Sequence, residues 1–126
     1  MEKIGIIGSG TWGTAIAVLL VNNGHEVTLW SAIPAEIEEM AKTRTHKNLP
    51  GVTLPEGIIY TADLEKAMAD KDLLVMAVPS VFVRSTAQKM KPFCKDGQLI
   101  VDVAKGIEEN TLDTMTQIIK EELPMA

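Results

Sequence analysis

The chain has 126 residues, 46% of them hydrophobic and 23% charged, which predicts one globular domain rather than a disordered or fibrous chain. With 12 Lys and Arg residues against 17 Asp and Glu residues, its formal net charge is -5, which argues against a general nucleic-acid binder. The single cysteine, Cys94, excludes an internal disulfide and a multi-cysteine metal site, and we interpret it as a bystander thiol.

The chain begins by running directly into an apolar segment. Met1 is followed by Glu2 and the apolar residues of 3–8, without the basic start and cleavage site of a signal peptide. No later stretch approaches the roughly 20 apolar residues that span a bilayer. We therefore expect a cytoplasmic protein with no membrane partner.

Short apolar runs alternate with longer amphipathic stretches along the chain. Strands are expected over 3–8, 27–30, 58–61, 73–78 and 99–103. Helices are expected over 14–23, over 35–42, over 64–69, from Ser80 to near Pro92, and from Asn110 or Thr111 to Leu123. Gly24 is expected to close the first helix and Asp63 to cap the third, while residues 43–57 predict an irregular surface loop.

This order of elements determines the fold class. Strands that alternate with helices at this spacing imply parallel βαβ units with right-handed crossovers. The predicted fold is α/β, a Rossmann-type doubly wound parallel sheet of five or more strands in the order 3-2-1-4-5.

A glycine motif lies between the first predicted strand and the first helix. Gly8, Gly10 and Gly13 have the G-x-G-x-x-G spacing of a dinucleotide site, with Ser9 between the first two. Gly8 permits a tight turn, Gly10 lets the backbone approach a pyrophosphate, and Gly13 allows the helix to pack closely on the sheet. The N–H groups at the helix start would bind the anion. The alternative is a glycine-rich turn that binds nothing.

Four further side chains are candidate cofactor contacts near the same edge of the predicted sheet. The Thr11 hydroxyl could donate a hydrogen bond to phosphate, and Trp12 offers an apolar face for cofactor contact or for packing. Pro79 ends the fourth strand, at the edge where ligands collect. Phe82 could pack against the nicotinamide or ribose, or against the core.

The end of the second strand leaves the choice between NAD and NADP open. An Asp or Glu there binds the ribose 2′-hydroxyl and an Arg neutralises a 2′-phosphate, but this chain has Ser31-Ala32-Ile33. Ser31 can hydrogen-bond either ligand. Lys42, Arg44 and Lys47 could reach a phosphate, although we interpret them as solvated surface charges.

The remaining titratable candidates are one lysine and two histidines. Lys105, beside Gly106 directly after the fifth strand, could bind an anionic substrate, although a surface role is commoner for a lysine. We interpret His25 as structural and far from the cleft, and His46 as polar surface in the irregular loop. No Ser-His-Asp, Cys-His or metal-ligand spacing is visible, so the sequence offers no candidate for nucleophilic or metal catalysis.

Six segments in order carry a resemblance to a known family: Gly8-Ser9-Gly10-Thr11-Trp12-Gly13-Thr14-Ala15, Asn23-Gly24-His25, Leu29-Trp30-Ser31, Asn48-Leu49-Pro50-Gly51, Ala77-Val78-Pro79-Ser80 and Lys105-Gly106-Ile107-Glu108. Together they resemble bacterial NAD(P)-dependent glycerol-3-phosphate dehydrogenase over essentially the whole chain. The resemblance implies interconversion of sn-glycerol 3-phosphate and dihydroxyacetone phosphate by hydride transfer with NAD or NADP, for phospholipid synthesis.

The resemblance also implies roles for single residues. Cofactor contacts are implied at Thr11, Trp12, Phe82 and Lys105. Lys105 is implied to contact the substrate as well. The family's usual basic residue is absent at Ala32 and Ile33, and Ala104 replaces its usual serine.

The resemblance further predicts a division of labour between domains. The family's general base is a lysine further along, in the stretch that joins to a helical substrate domain. We therefore expect 1–126 to be the amino-terminal NAD(P)-binding domain, with no catalytic residue of its own. The base, which must lie within about 3 Å of the reacting hydroxyl, would then be missing, so we expect dinucleotide binding without turnover.

Three alternatives stay open from the sequence. One is the Rossmann domain of another two-domain hydroxyacid or nucleotide-sugar dehydrogenase. Another is a non-catalytic module that senses NADH, and a third, which fits the glycine spacing less well, is an S-adenosylmethionine-binding domain. A homodimer is compatible with each of them.

Overall fold

The computed structural model describes residues 2–46, 53–103 and 122–123, without the side chains of Thr11, Trp12, Ser80 and Asp102. Its strands are β1 (Lys3–Ile7), β2 (Glu26–Trp30), β3 (Ile58–Thr61), β4 (Leu73–Met76) and β5 (Ile100–Asp102). Its helices are α1 (Thr11–Asn22), α2 (Pro34–Thr43), α3 (Leu64–Met68) and α4 (Val83–Met90), with 3-10 turns at Ser80–Phe82 and Lys91–Phe93. The last predicted helix lies almost wholly outside the described residues.

The five strands form one parallel sheet in the order β3-β2-β1-β4-β5. The predicted fold class and strand order are therefore confirmed. β1 is central, and its pairing with β2 on one side and β4 on the other places the ends of all three strands at one edge. Two bonds extend the pairing there, from the Gly8 N–H to the Trp30 carbonyl (3.0 Å) and from the Ala77 N–H to the Ile7 carbonyl (2.9 Å).

Both faces of the sheet are buried, which explains why its strands are almost continuously apolar. Ile4, Ile6 and Leu29 pack on the face that α1 and α2 cover. Ile7 and Met76 pack on the opposite face, with the residues of α3 and α4. The sheet is thereby fixed between two helical layers, and its carboxyl edge is a firm base for a site.

Most local signals act where the sequence predicts. The Gly24 N–H donates to the Val21 carbonyl at 3.0 Å with a φ of +88°, and it closes α1. The Asp63 carboxylate accepts from the Glu65 N–H at 3.0 Å and caps α3. Boundaries differ at β4, which ends at Met76 rather than at 78, and at α4, which a 3-10 turn precedes.

The expected surface loop over 43–57 is wrong for part of its described residues. Leu54 is fully buried among the residues that α1 and α2 cover, and its N–H donates to the Arg44 carbonyl at 2.7 Å. His46 is also buried. The described residues after α2 therefore pack against the protein, because Leu54 joins the apolar cluster and the His46 ring contacts the Ser9 carbonyl.

Candidate functional site

The glycine motif and the end of β4 meet at the carboxyl edge of the sheet. Gly8 has a φ of +125°, and a Cβ at this position would lie 2.7 Å from the Ala77 carbonyl carbon. The chain leaves β1 and β4 towards opposite sides of the sheet, so this contact marks the point where the strand order reverses. Ligands of open parallel sheets bind in the crevice at such a point.

The two other glycines of the motif occupy opposite steric environments. A Cβ on Gly13 would overlap the carbonyl oxygen of Gly8, so only glycine lets α1 pack this closely on the turn. A Cβ on Gly10 would meet nothing within 4 Å. The turn is therefore filled on its inner side by the protein and open on its outer side above Gly10.

The open side of the turn lies at the start of α1. Gly10 is the residue that precedes the helix, and no side chain caps it there. The first intrahelical bond runs from the Thr14 N–H to the Gly10 carbonyl at 2.9 Å, so the N–H groups of 11–13 have no helical acceptor. With no acidic residue in the first turn, the partial positive charge of the helix start is left for an anion.

The carbonyl of Ser9 is held on the inner side of the turn by two donors. The Thr14 hydroxyl donates to it at 3.0 Å, and Nε2 of His46 lies 2.9 Å from the same oxygen. Because a carbonyl oxygen only accepts, Nε2 carries the hydrogen. The C=O and the following N–H of a trans peptide point in opposite directions, so this anchoring turns the Gly10 N–H towards the open side.

His46 corrects the expectation from the sequence. It was predicted to be polar surface, but its side chain is 5% exposed and contacts the glycine turn from 37 residues away. Nothing in the sequence signals this contact, because an isolated histidine in an irregular segment looks the same whether it faces solvent or a carbonyl.

A pocket of about 260 Å³ lies beside the turn, against α2. Its lining residues are Glu36, Glu39, Met40, Thr43, Thr45 and His46. One Glu36 carboxylate oxygen accepts a hydrogen bond from the Ser9 hydroxyl at 3.3 Å, so α2 is joined directly to the glycine turn. The sequence did not point to Glu36, because the acid that binds the ribose is expected at the end of β2 and Glu36 lies within α2.

Ser31 lies at the end of β2, as expected, and is 5% exposed. Its hydroxyl oxygen accepts the Ile33 N–H at 3.1 Å and so shapes the turn into α2. The hydroxyl hydrogen stays available to donate. The next two residues, Ala32 and Ile33, are exposed and uncharged.

The segment after β4 presents an apolar surface at the same edge. Pro79 is exposed three residues after the end of β4, and its carbonyl accepts the Phe82 N–H at 2.8 Å to form the 3-10 turn. Phe82 is 55% exposed and Val81 is 75% exposed. The core position considered for Phe82 is thus wrong, and its ring is free to contact a ligand.

The structure describes some of the remaining candidate residues and not others. Lys105 and Lys47 are outside the described residues, and Lys42 is exposed in the last turn of α2. Nε of Arg44 donates to the Leu54 carbonyl at 3.0 Å, which directs its guanidinium towards the segment after α2. Nδ1 of His25 accepts the Glu2 N–H at 3.1 Å at the opposite edge of the sheet, which confirms its structural role.

The described part of the chain was also compared with the requirements of a metal site, a membrane span and a reactive thiol. Within 2–46, 53–103 and 122–123, no three His, Cys, Asp or Glu residues are grouped to hold a metal ion. Over the same ranges no helix combines the length and apolar character needed to cross a bilayer. Burial raises the pKa of the Cys94 thiol, and Asp96 raises it further, so the nucleophilic thiolate is disfavoured.

Comparison with known proteins agrees with this geometry. A family model described as NAD-dependent glycerol-3-phosphate dehydrogenase N-terminus matches residues 3–126. Glycerol-3-phosphate dehydrogenase [NAD(P)+] 2 of Lactobacillus delbrueckii subsp. bulgaricus is 55% identical over 123 residues, which cover 98% of this chain and 36% of that protein. Glycerol-3-phosphate dehydrogenase [NAD(P)+] of Agathobacter rectalis is 54% identical over 127 residues, 100% of this chain and 38% of that protein.

A solved structure extends the likeness to three dimensions. The crystal structure of glycerol-3-phosphate dehydrogenase from Coxiella burnetii superimposes with a TM-score of 0.89 at 27% identity, covering 97% of this chain and 38% of that one. The chain spans little more than a third of the length of these relatives.

Alanine substitutions at two glycines separate the fold from the binding surface. We expect Gly13→Ala to lower the free energy of unfolding by about 2 kcal/mol or more, because its Cβ would overlap the Gly8 carbonyl. Gly10→Ala should change it by less than about 1 kcal/mol, since φ is -67° and the space is empty. Its methyl group would nevertheless stand where a pyrophosphate approaches, so NADH affinity should fall. Urea unfolding and NADH titration of both variants measure this, and unchanged affinity in Gly10→Ala would contradict it.

Removal of the His46 side chain tests how the turn is oriented. We expect His46→Ala to weaken NADH binding by about fivefold or more, because the Ser9 carbonyl loses a donor and the Gly10 N–H its fixed direction. His46→Gln, whose amide N–H can donate, should restore part of the affinity. His25→Ala at the opposite edge is the matched control and should bind as the unaltered chain does. Equal affinities in the two alanine variants would exclude the orienting role.

Proposed function

Since this chain belongs to the NAD-dependent glycerol-3-phosphate dehydrogenase family, whose amino-terminal model matches residues 3–126, we propose that residues 1–126 form an NAD(P)-binding domain. The observation that carries the proposal is the open glycine turn at the start of α1. It offers unpaired backbone N–H groups to an anion, above a glycine where a Cβ would meet nothing. Membership of this family also leaves the other dehydrogenases and the S-adenosylmethionine-binding domain without support.

The dinucleotide is proposed to lie along the carboxyl edge of the sheet. Its pyrophosphate would meet the turn and the helix start, at Gly8, Ser9, Gly10, Thr11 and Gly13. The adenosine end would extend towards Ser31 and the pocket beside α2. The nicotinamide end would extend towards Pro79 and the exposed Phe82 ring, with Trp12 and Lys105 as further proposed contacts.

The fit of a dinucleotide to these residues rests on shape and charge. A pyrophosphate needs close backbone approach and a positive electrostatic potential, and the turn above Gly10 supplies both. A nicotinamide ring needs an apolar neighbour, and Val81 and Phe82 are the exposed apolar side chains at that end of the crevice.

The proposed reaction of the whole enzyme is the interconversion of sn-glycerol 3-phosphate and dihydroxyacetone phosphate. When bound, the nicotinamide supplies the hydride acceptor for oxidation and the donor for reduction. As the secondary alcohol is oxidised, its hydroxyl proton must pass to a base within about 3 Å, in a site shielded from water. The part played by this chain is to bind and orient the dinucleotide, with Lys105 as the proposed substrate contact.

The shape of the site supports this proposed division between binding and catalysis. The described crevice is an edge of one sheet, which can hold a dinucleotide but does not enclose a small substrate. The proposed place of the enzyme is the cytoplasm, and its proposed product feeds phospholipid synthesis.

Titration of the 126-residue chain with reduced dinucleotide tests the proposal. We expect NADH or NADPH to quench the emission of Trp12 and Trp30 saturably, and excess oxidised cofactor to relieve the quenching. With glycerol 3-phosphate and NAD or NADP present, we expect no reduced cofactor to accumulate above background, because the described crevice does not enclose a small substrate.

The two parts of the expectation fail separately. Robust oxidation of glycerol 3-phosphate by the chain would contradict the proposed division between binding and catalysis. If neither dinucleotide binds while the chain is folded by circular dichroism, the proposed cofactor site is wrong.

A further inference from the structure

One acidic side chain touches the glycine turn from outside the motif. Glu36 lies in the first turn of α2 and accepts the Ser9 hydroxyl at 3.3 Å. Ser9 itself is 5% exposed, and its carbonyl oxygen accepts from the Thr14 hydroxyl and from Nε2 of His46. The carboxylate of Glu36 is therefore kept beside the turn that is proposed to hold the pyrophosphate, and not merely somewhere on a helix surface.

The position of Glu36 corresponds to the adenosine end of a dinucleotide. The adenosine ribose is joined directly to the pyrophosphate, so a group in contact with the turn is within reach of the ribose hydroxyls. Glu36 also follows Gly13 by 23 residues, close to the spacing of about 20 at which such sites place a ribose-binding acid. The acid comes from the helix after β2, because the end of β2 itself supplies only Ser31, Ala32 and Ile33.

Two of the described residues that line the neighbouring pocket are acidic. Glu36 and Glu39 both line it, one turn apart on α2. Neither Lys nor Arg is among the lining residues in the described part of the chain. Nη1 of Arg44 lies 3.4 Å from the Glu56 carboxylate and its Nε donates to the Leu54 carbonyl, so this side chain faces the segment after α2.

We propose that Glu36, assisted by Glu39, makes this site selective for NAD(H) over NADP(H), an inference that rests on the proposed function. The Glu36 carboxylate accepts a hydrogen bond from the ribose 2′-hydroxyl of NAD(H). A 2′-phosphate carries a charge of about -1.5 to -2 at neutral pH, and in the same place it meets two carboxylates, with neither Lys nor Arg among the described lining residues. Such like-charge contact rejects a ligand more sharply than a lost contact does.

Paired affinities for the two reduced cofactors test this selectivity. The 126-residue chain should bind NADH at least about tenfold more tightly than NADPH. In Glu36→Gln, which keeps the size of the side chain and an oxygen for the Ser9 hydroxyl, that ratio should fall by about fivefold or more. The double variant Glu36→Gln, Glu39→Gln should lower the ratio further.

Glu38→Gln is the matched control. It removes the same charge from the same helix, but Glu38 is exposed and does not line the pocket. Its ratio of affinities should equal that of the unaltered chain. Circular dichroism of each variant shows whether its helix content equals that of the unaltered chain.

A second measurement needs no variant. Adenosine 5′-monophosphate and adenosine 2′,5′-bisphosphate differ by the 2′-phosphate alone, and both can compete with NADH for the adenosine end. The monophosphate should displace NADH at the lower concentration.

The outcomes separate this inference from the proposed function. NADPH bound as tightly as NADH, or equal ratios in Glu36→Gln and Glu38→Gln, would overturn the selectivity. Stronger competition by the bisphosphate would overturn it as well. If the folded chain binds neither dinucleotide, the proposed function fails, and the selectivity fails with it.

Discussion

The carbonyl oxygen of Ser9 is the point on which the site depends. It accepts from the Thr14 hydroxyl at 3.0 Å and from His46 at 2.9 Å, so α1 and the segment after α2 both hold one peptide group. A buried carbonyl is costly to leave without a donor, and here that cost fixes the conformation of the turn. Because the oxygen faces inwards, the next N–H faces outwards. The need to pair the buried Ser9 carbonyl thereby also fixes the direction of the Gly10 N–H.

The sheet makes this arrangement possible by bringing distant segments to one edge. β1 pairs with both β2 and β4, and the glycine turn packs on Ala77 closely enough that Gly8 can carry no side chain. On the other side, α2 follows β2 back across the sheet and places Glu36 against Ser9. The same turn thus touches an apolar segment on one side and an acidic helix on the other. This asymmetry supports the proposed placement of the nicotinamide at one end of the crevice and the adenosine at the other.

The fold was predictable from the sequence because its signals are local. Apolar runs such as 3–8 and 73–78 give the strands, and the glycine spacing gives the turn, each within one short segment. His46 and Glu36 were not predictable, since each reaches Ser9 across 37 or 27 residues through side-chain packing that no local pattern encodes. Phe82 was ambiguous for a similar reason. An aromatic residue at the start of a helix can lie in the core or on the surface. Phe82 belongs to the 3-10 turn before α4, and its side chain is exposed there.

We propose that the backbone N–H groups at the start of α1 bind the pyrophosphate because the Ser9 carbonyl is held inwards. Amide chemical shifts from ¹H–¹⁵N correlation spectra, recorded while the chain is titrated with NADH, test it most directly. We expect the largest shift changes on the amides of Gly10, Thr11, Trp12 and Gly13, and no change at His25 on the opposite edge. Saturable NADH binding that leaves the Gly10 to Gly13 amides unchanged would contradict it.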